Sequence, residues 1–377
     1  MPSDPARSVH YQPPPHADPF ADLVAIAKDE RQAVRLYLQE ALADLDYYAP
    51  LVRWLSPLLE SIRESRQEVS PEALQGVLEH KKHLLQELCD RVFSRSMAEA
   101  IRSSRNIEDH RRADLALRIE NCGRLMGFHV CPSGHRKADK QYCDMPKLCR
   151  RCARIEAYKK ADALYERCLP ILRRMPSGYE FRFVTCTSKP TGNIRADAEL
   201  VISAWAKTYR AVFKDDHSAA WRRVEVGAEN HMVHVHALVL SRYVPQPELS
   251  AYWEKKTNAP VVDIRGVRGH KALKETCFEV SKYVTDPDKH IERHGLKEGI
   301  EQLAEMAYDL RRLKLSQTYG MFRADVFERR MGEAPPVAEE QDPCLCEKCG
   351  KQWTEYVELN EPRGPPRLQV ISYVKPR

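Results

Sequence analysis

From His234 the run His-Val-His-Ala-Leu-Val-Leu alternates with period two, which predicts an extended strand. His234 and His236 then share one face, and Val235, Ala237 and Val239 share the other. The segment Tyr-Glu-Phe-Arg-Phe-Val-Thr-Cys-Thr from Tyr179 has the same period, with Phe181, Phe183, Thr185 and Thr187 on one face. The stretches at 222–227 and 261–267 read as two further strands. Helical spacing takes over at 153–174, 196–213, 270–286 and 295–315. Strand, helix, strand, strand and helix therefore follow one another between Tyr179 and Asp286. That order predicts an α+β fold, an antiparallel sheet with flanking helices on one face.

The N-terminal third reads differently. Residues 1–19 are proline-rich and polar and lack the apolar core of a secretory signal, so a disordered leader is expected. Between Phe20 and Ser65, Leu23, Ile26, Val34, Leu38, Leu42 and Leu45 fall near one helical face. Ser70-Pro71-Glu72 looks like an N-cap followed by proline at the first helical position, opening a second helix that runs to about Ile101. The expected organisation is a helical region at 20–101, a cysteine-rich basic segment and helix at 102–175, a sheet domain at 176–331 and a tail at 332–377. The charged stretch from Arg102 to Glu120 reads as a connection.

Composition narrows the class. Hydrophobic residues are 43 % and charged residues 30 %, and no apolar run reaches the length of a membrane span, so a cytoplasmic protein is expected. The formal net charge of +6 is mild, but its distribution is uneven. Residues 121–160 hold ten Lys and Arg against three Asp and Glu. Such a patch can neutralise phosphates, and Arg150, Arg151, Arg154, Lys159 and Lys160 are its candidate DNA contacts.

The twelve cysteines are clustered, and clusters without an export signal point to metal rather than disulfides. Cys143, Cys149 and Cys152 form a C-x5-C-x2-C element, whose second half has the spacing of a zinc knuckle. The fourth ligand is Cys122, Cys131 or His135. Cys344, Cys346 and Cys349 form a second cluster, which either completes a site with Cys131 and His135 or binds a separate zinc. Cys89, Cys168, Cys186 and Cys277 are isolated and read as core residues.

Two imidazoles on one strand face can bind a single divalent cation. Glu225, on the preceding strand, is the preferred third ligand across a hairpin. Glu229 and His231 fall in the turn, and His231 is expected to stay outside the ligand shell. Downstream, Glu279 and Tyr283 are four apart on an expected helix, with Lys282 before the tyrosine.

These residues carry a resemblance. "HVHALVL" resembles the HUH motif of rolling-circle replication initiators. "FVTCTSKP" is similar to their first motif, and "FEVSKYVTDPD" to the E-x-x-K-Y motif of the plasmid replication proteins. The Cys122-Gly123, Cys143 and C-x-x-C elements resemble the region preceding those motifs. The set stands in the family's order and covers about Asn121 to Asp288.

The resemblance implies an HUH endonuclease-like fold that nicks and rejoins single-stranded origin DNA. His234, His236 and Glu225 would hold Mg²⁺ or Mn²⁺, although imidazole ligands do not exclude zinc. Tyr283 would be the nucleophile. Glu279 would activate the water that ends the cycle, and Lys282 would lower the tyrosine pKa or hold a phosphate. Structural Zn²⁺ would sit in the cysteine segment. The helical N-terminal region would recruit a host helicase or other replication partner, bind duplex origin DNA or dimerise. A transposase or relaxase of a mobile element uses the same site, and a zinc-stabilised DNA-binding regulator without catalysis is the reading from a different class.

Overall fold

The computed structural model describes residues 36–37, 71–104, 109–282, 284–332, 345–360 and 367–372. The chain divides into two units, Met1–Val92 and Phe93–Arg377. The leader and most of the expected 20–65 helical stretch lie outside the described residues, as do Tyr283 and Cys344. In the first unit, Tyr37, Leu88, Cys89 and Val92 are buried. Helix α1 (Pro71–Ser103) starts in the first unit, with proline opening it as the sequence predicts, and ends in the second.

The second unit contains two sheets, both antiparallel. After α2 (Asp109–Glu120) come β1 (Leu125–Val130), β2 (Arg136–Lys140) and α3 (Arg150–Arg174). Then follow β3 (Tyr179–Thr187), α4 (Ile194–Thr208), β4 (Ala219–Val226), β5 (Val233–Arg242), α5 (Gln246–Thr257) and β6 (Val262–Gly266). The chain continues through α6 (Gly269–Glu279), α7 (Pro287–His294), α8 (Leu296–Asp309), β7 (Ser316–Gly320) and α9 (Ala324–Met331). It ends with β8 (Glu355–Asn360) and β9 (Arg367–Ser372). The five-stranded sheet runs β6-β3-β5-β4-β7 and the four-stranded sheet β2-β1-β8-β9. The mixed α and β content with antiparallel sheets agrees with the expected α+β class.

The central strand explains the layering. Along β5 the odd positions Val233, Val235, Ala237 and Val239 are fully buried, and so are Leu238 and Leu240 on the opposite face. A strand apolar on both sides must be covered on both sides. One face packs on α3, α6 and α9 in a core that includes Leu164, Ile171, Phe181, Leu240, Leu273 and Phe327. Helix α4 lies against β4 and β5, and α5 against β6. The Trp253 indole of α5 donates to the Thr187 carbonyl at 2.8 Å. The expectation of helices on one face only is therefore corrected.

Local chemistry sets several element ends. Asn193 caps α4 by accepting from the Ala196 amide, and buried Asp197 accepts from the Thr191 amide and hydroxyl. The helix expected to continue to Phe213 loosens at Thr208 into a π turn over Tyr209–Phe213. Gly320, at φ +54°, lets β7 approach β4, because a Cβ there would strike the Ser218 carbonyl oxygen and the Tyr209 hydroxyl. Helix α8 ends at Asp309, short of the expected 315, and β7 follows from Ser316. Helix α2 occupies part of the stretch read as a connection, and α5 and α7 were not anticipated.

The largest correction concerns the tail. The segment near 125–140 and the tail beyond 345 are not separate regions. Strand β8 pairs with β1, matching Gly127 with Glu358 and Val130 with Glu355. Their union is one sheet, built from strands more than 200 residues apart in sequence.

Candidate metal centres and the histidine face

Four cysteines converge beneath the start of α3. Cys122, Cys143, Cys149 and Cys152 are all buried, with sulfur separations of 3.5 Å (Cys122–Cys152), 3.5 Å (Cys143–Cys152) and 3.4 Å (Cys149–Cys122). These are far longer than a disulfide bond of about 2.05 Å. They approach the roughly 3.8 Å edge of a tetrahedron whose sulfurs lie about 2.3 Å from zinc. Cys149 is the N-cap of α3 and Cys152 sits in its first turn. The positive end of the helix there favours thiolates. Hydrogen bonding among the sulfurs lowers the thiol pKa of Cys122 and Cys152 and raises that of Cys143 and Cys149. Arg118 donates to the Cys143 carbonyl at 2.9 Å. Of the three candidates for the fourth ligand, Cys122 takes the place.

The other two candidates join the tail. Cys131, His135, Cys346 and Cys349 form a second group that could hold a metal. Cys131 Sγ lies 3.6 Å from Cys349 Sγ and 3.5 Å from His135 Nδ1, and Cys346 Sγ lies 3.6 Å from His135 Nδ1. The pairing of β1 with β8 brings these halves together. Both groups suit zinc by ligand type and count. Cys168, Cys186 and Cys277 are buried, in keeping with core roles.

On the five-stranded sheet the register decides which side chains meet. His234 pairs with Thr187 on one neighbour and Glu225 on the other, and His236 pairs with Thr185 and Arg223. All of these side chains lie on one face, since directly opposed residues point the same way. Thr187 Oγ1 sits 3.0 Å from His234 Nδ1, and Thr185 Oγ1 3.1 Å from His236 Nδ1. Each threonine hydroxyl engages an Nδ1 and so orients its ring, leaving the Nε2 atoms to face other partners. Glu225 Oε2 lies 3.0 Å from His236 Nε2. The Phe183 ring stacks on His236, with centroids 5.6 Å apart. Gly227 leaves His234 room, because a Cβ at that position would lie 3.2 Å from its Nε2.

The electrostatics suit a cation. Burial works to raise the Glu225 pKa, but the His236 hydrogen bond and nearby positive charge outweigh it, so the carboxyl is held below its ordinary value. Burial, then the neighbouring His236, lowers His234 and keeps its ring neutral. A carboxylate and two imidazoles form a ligand set for a divalent ion.

The third motif is arranged differently from the expectation. Helix α6 ends at Glu279, so Glu279 and Lys282 do not share a continuing helix. Val280 closes the helix, Asp286 before Pro287 is extended, and the Asp286 carboxylate caps α7 by accepting from the amides of Asp288 and Lys289. Lys282 pairs with Glu279 in the intervening turn. The Val284 carbonyl accepts from the Val226 amide at 2.8 Å, which ties this turn to the strand end that bears Glu225.

The basic residues also divide. Arg150 is 8 % exposed and makes a bidentate pair with Asp288 at 3.0 and 2.9 Å, and Arg151 is buried over Gly123. These two serve the packing of the cysteine lobe, which corrects their assignment as DNA contacts. Lys159 is exposed, Arg154 is half-buried, and half-buried Lys160 pairs with Glu156. A cleft that sequence reasoning missed is lined by Lys147, Lys160, Arg223 and Lys314, with Glu156 and Val284. The buried Arg223 Nε has no partner among the described residues. Burial, then the Arg223 charge, lowers the Lys147 pKa. The available signal was the alternation that places Arg223 on the face of Glu225.

No family model matches the chain, and neither a curated protein nor a solved structure matches it. No helix among the described residues is long and apolar enough to cross a membrane.

Proposed function

We propose that the protein is a metal-assisted tyrosine transesterase of the HUH type, which nicks and rejoins single-stranded DNA at a replication origin. One observation carries this reading. His234, His236 and Glu225 converge on one sheet face, and Thr185 and Thr187 orient the two rings. A divalent cation held by these three residues would neutralise charge on the scissile phosphate. Residues Lys147, Arg223 and Lys314 in the adjoining cleft would hold flanking phosphates.

Tyr283 is the assigned nucleophile. Its phenolic oxygen bonds to phosphorus as the phosphorus–O3′ bond breaks. The products are a 5′-phosphotyrosyl link and a free 3′-hydroxyl, and the phenolic proton leaves to solvent or a neighbouring base. Attack of a 3′-hydroxyl on the same phosphorus reverses the step and rejoins the strand. Glu279 is assigned to the water that ends the cycle, and Lys282 pairs with its carboxylate.

The test is a nicking assay with single-stranded DNA pools and Mn²⁺, read on a denaturing gel. Covalent protein–DNA adduct is expected from the native chain, none from Tyr283→Phe, and little from His234→Ala. Absence of adduct from folded, zinc-loaded protein that still binds DNA would replace this reading with a non-catalytic DNA-binding module. A transposase or relaxase would form the adduct on its own element's strands and not on a replication origin.

A further inference from the structure

Three histidines outside the sites above come together where the β4–β5 turn meets α7. His231 lies in the turn, and His290 and His294 are one helical turn apart on α7. One ring nitrogen of each lies within 4.8 Å of the others. The ring centroids are 6.0 Å (His231–His290), 6.4 Å (His231–His294) and 6.0 Å (His290–His294) apart.

Two observations distinguish this group from ordinary packing. His290 is fully buried, and neither ring nitrogen has a partner among the described residues. The buried Nε2 of His231 also has none. Leaving such groups buried and unsatisfied is unfavourable, and a shared cation would take one nitrogen from each ring. His231 also adopts φ +54°, in the left-handed region that non-glycine residues enter uncommonly.

We infer that His231, His290 and His294 form a third metal site, of the three-imidazole type, that takes Zn²⁺. Nitrogen ligands about 2.0–2.1 Å from a tetrahedral ion are roughly 3.4 Å apart, so a small inward movement of the rings closes the site. The group contains no carboxylate, which disfavours Mg²⁺ and Ca²⁺ and favours zinc among the common ions. Burial, with His231 and His294 alongside, pushes the His290 pKa down to about 4, so the imidazole is neutral and able to bind metal at neutral pH. The His294 ring is steadied by the Ala228 carbonyl, 3.2 Å from its Nε2. The bound ion would pin the turn to α7 and so brace the hairpin whose strands carry Glu225 and His234. This assignment is independent of the nicking reaction.

The test counts zinc in full-length protein carrying His234→Ala and His236→Ala, so that the neighbouring pair cannot contribute. After loading with Zn²⁺ and gel filtration, elemental analysis should find three equivalents per chain, one for each remaining group. Adding His290→Gln should leave two, and adding His231→Ala, which changes only the turn, should also leave two. In Co²⁺-loaded samples the thiolate charge-transfer bands should be unchanged by either substitution. Two equivalents in the parent overturn the site, as do three in a variant that keeps the parent's circular dichroism. A lost thiolate band would trace the missing ion to a cysteine site and overturn it equally. If His290→Gln does not fold, the His231→Ala result decides.

Discussion

The cysteine lobe and the histidine face both gather metal-binding side chains, but in opposite ways. The lobe closes around its ligands. Four buried sulfurs complete one tetrad, and the second tetrad joins strands from distant parts of the chain. No coordination position is left for a substrate, which is the arrangement of a structural site. The histidine face offers two imidazoles and a carboxylate at half-buried positions on a sheet, beside a basic cleft. Three ligands leave positions open, as chemistry at a metal requires. The difference lies in completeness: a closed site holds a fold together, whereas an open one can act on something else.

That contrast is broken most strongly at the lobe. Cys149→Ser should cost one equivalent of zinc and unfold the lobe, because structural zinc contributes on the order of 10–16 kcal/mol in small zinc domains. Elemental analysis and loss of amide protection in β1 and β2 would show it, with β3 and β5 still protected. Next comes the link between the regions. Arg150→Ala removes the bidentate guanidinium partner of the largely buried Asp288 carboxylate and should cost about 3–5 kcal/mol in urea unfolding.

Two smaller changes sharpen the comparison from the histidine side. Thr185→Val removes the partner of His236 Nδ1 and should weaken Mn²⁺ binding about 10–100-fold, measured by titration calorimetry, with zinc in the cysteine sites unchanged. Gly227→Ala crowds His234 Nε2 and should weaken Mn²⁺ by less than about tenfold, near 1 kcal/mol. If either substitution instead released zinc from the lobe, the two regions would not be separable.

Part of this arrangement is legible in the sequence. Period-two alternation puts His234 with His236 and Thr185 with Thr187, because side-chain direction along a strand depends on neighbouring residues alone. Glu225 is reachable by the same parity across a short hairpin. The C-x-x-C spacing marks Cys149 and Cys152, and the isolated cysteines are readable as core. The end of α6 is not legible, since helical spacing continues past Glu279 although the helix closes at Val280. The burial of Arg150 and Arg151 is equally hidden, because a basic run looks the same whether it faces solvent or a carboxylate such as Asp288.

The sequence alone determined the local periods, the spacing of the half-sites and the residue types able to bind metal. Only the tertiary structure decided which halves meet. It paired Cys131 and His135 with Cys346 and Cys349, selected Cys122 for the first tetrad, and brought His231 to His290 and His294. The reason is physical. Strand and helix periodicity follow from backbone geometry over a few residues. Metal sites close through contacts that span tens to hundreds of residues, and these form only when the sheets assemble and bury their common faces.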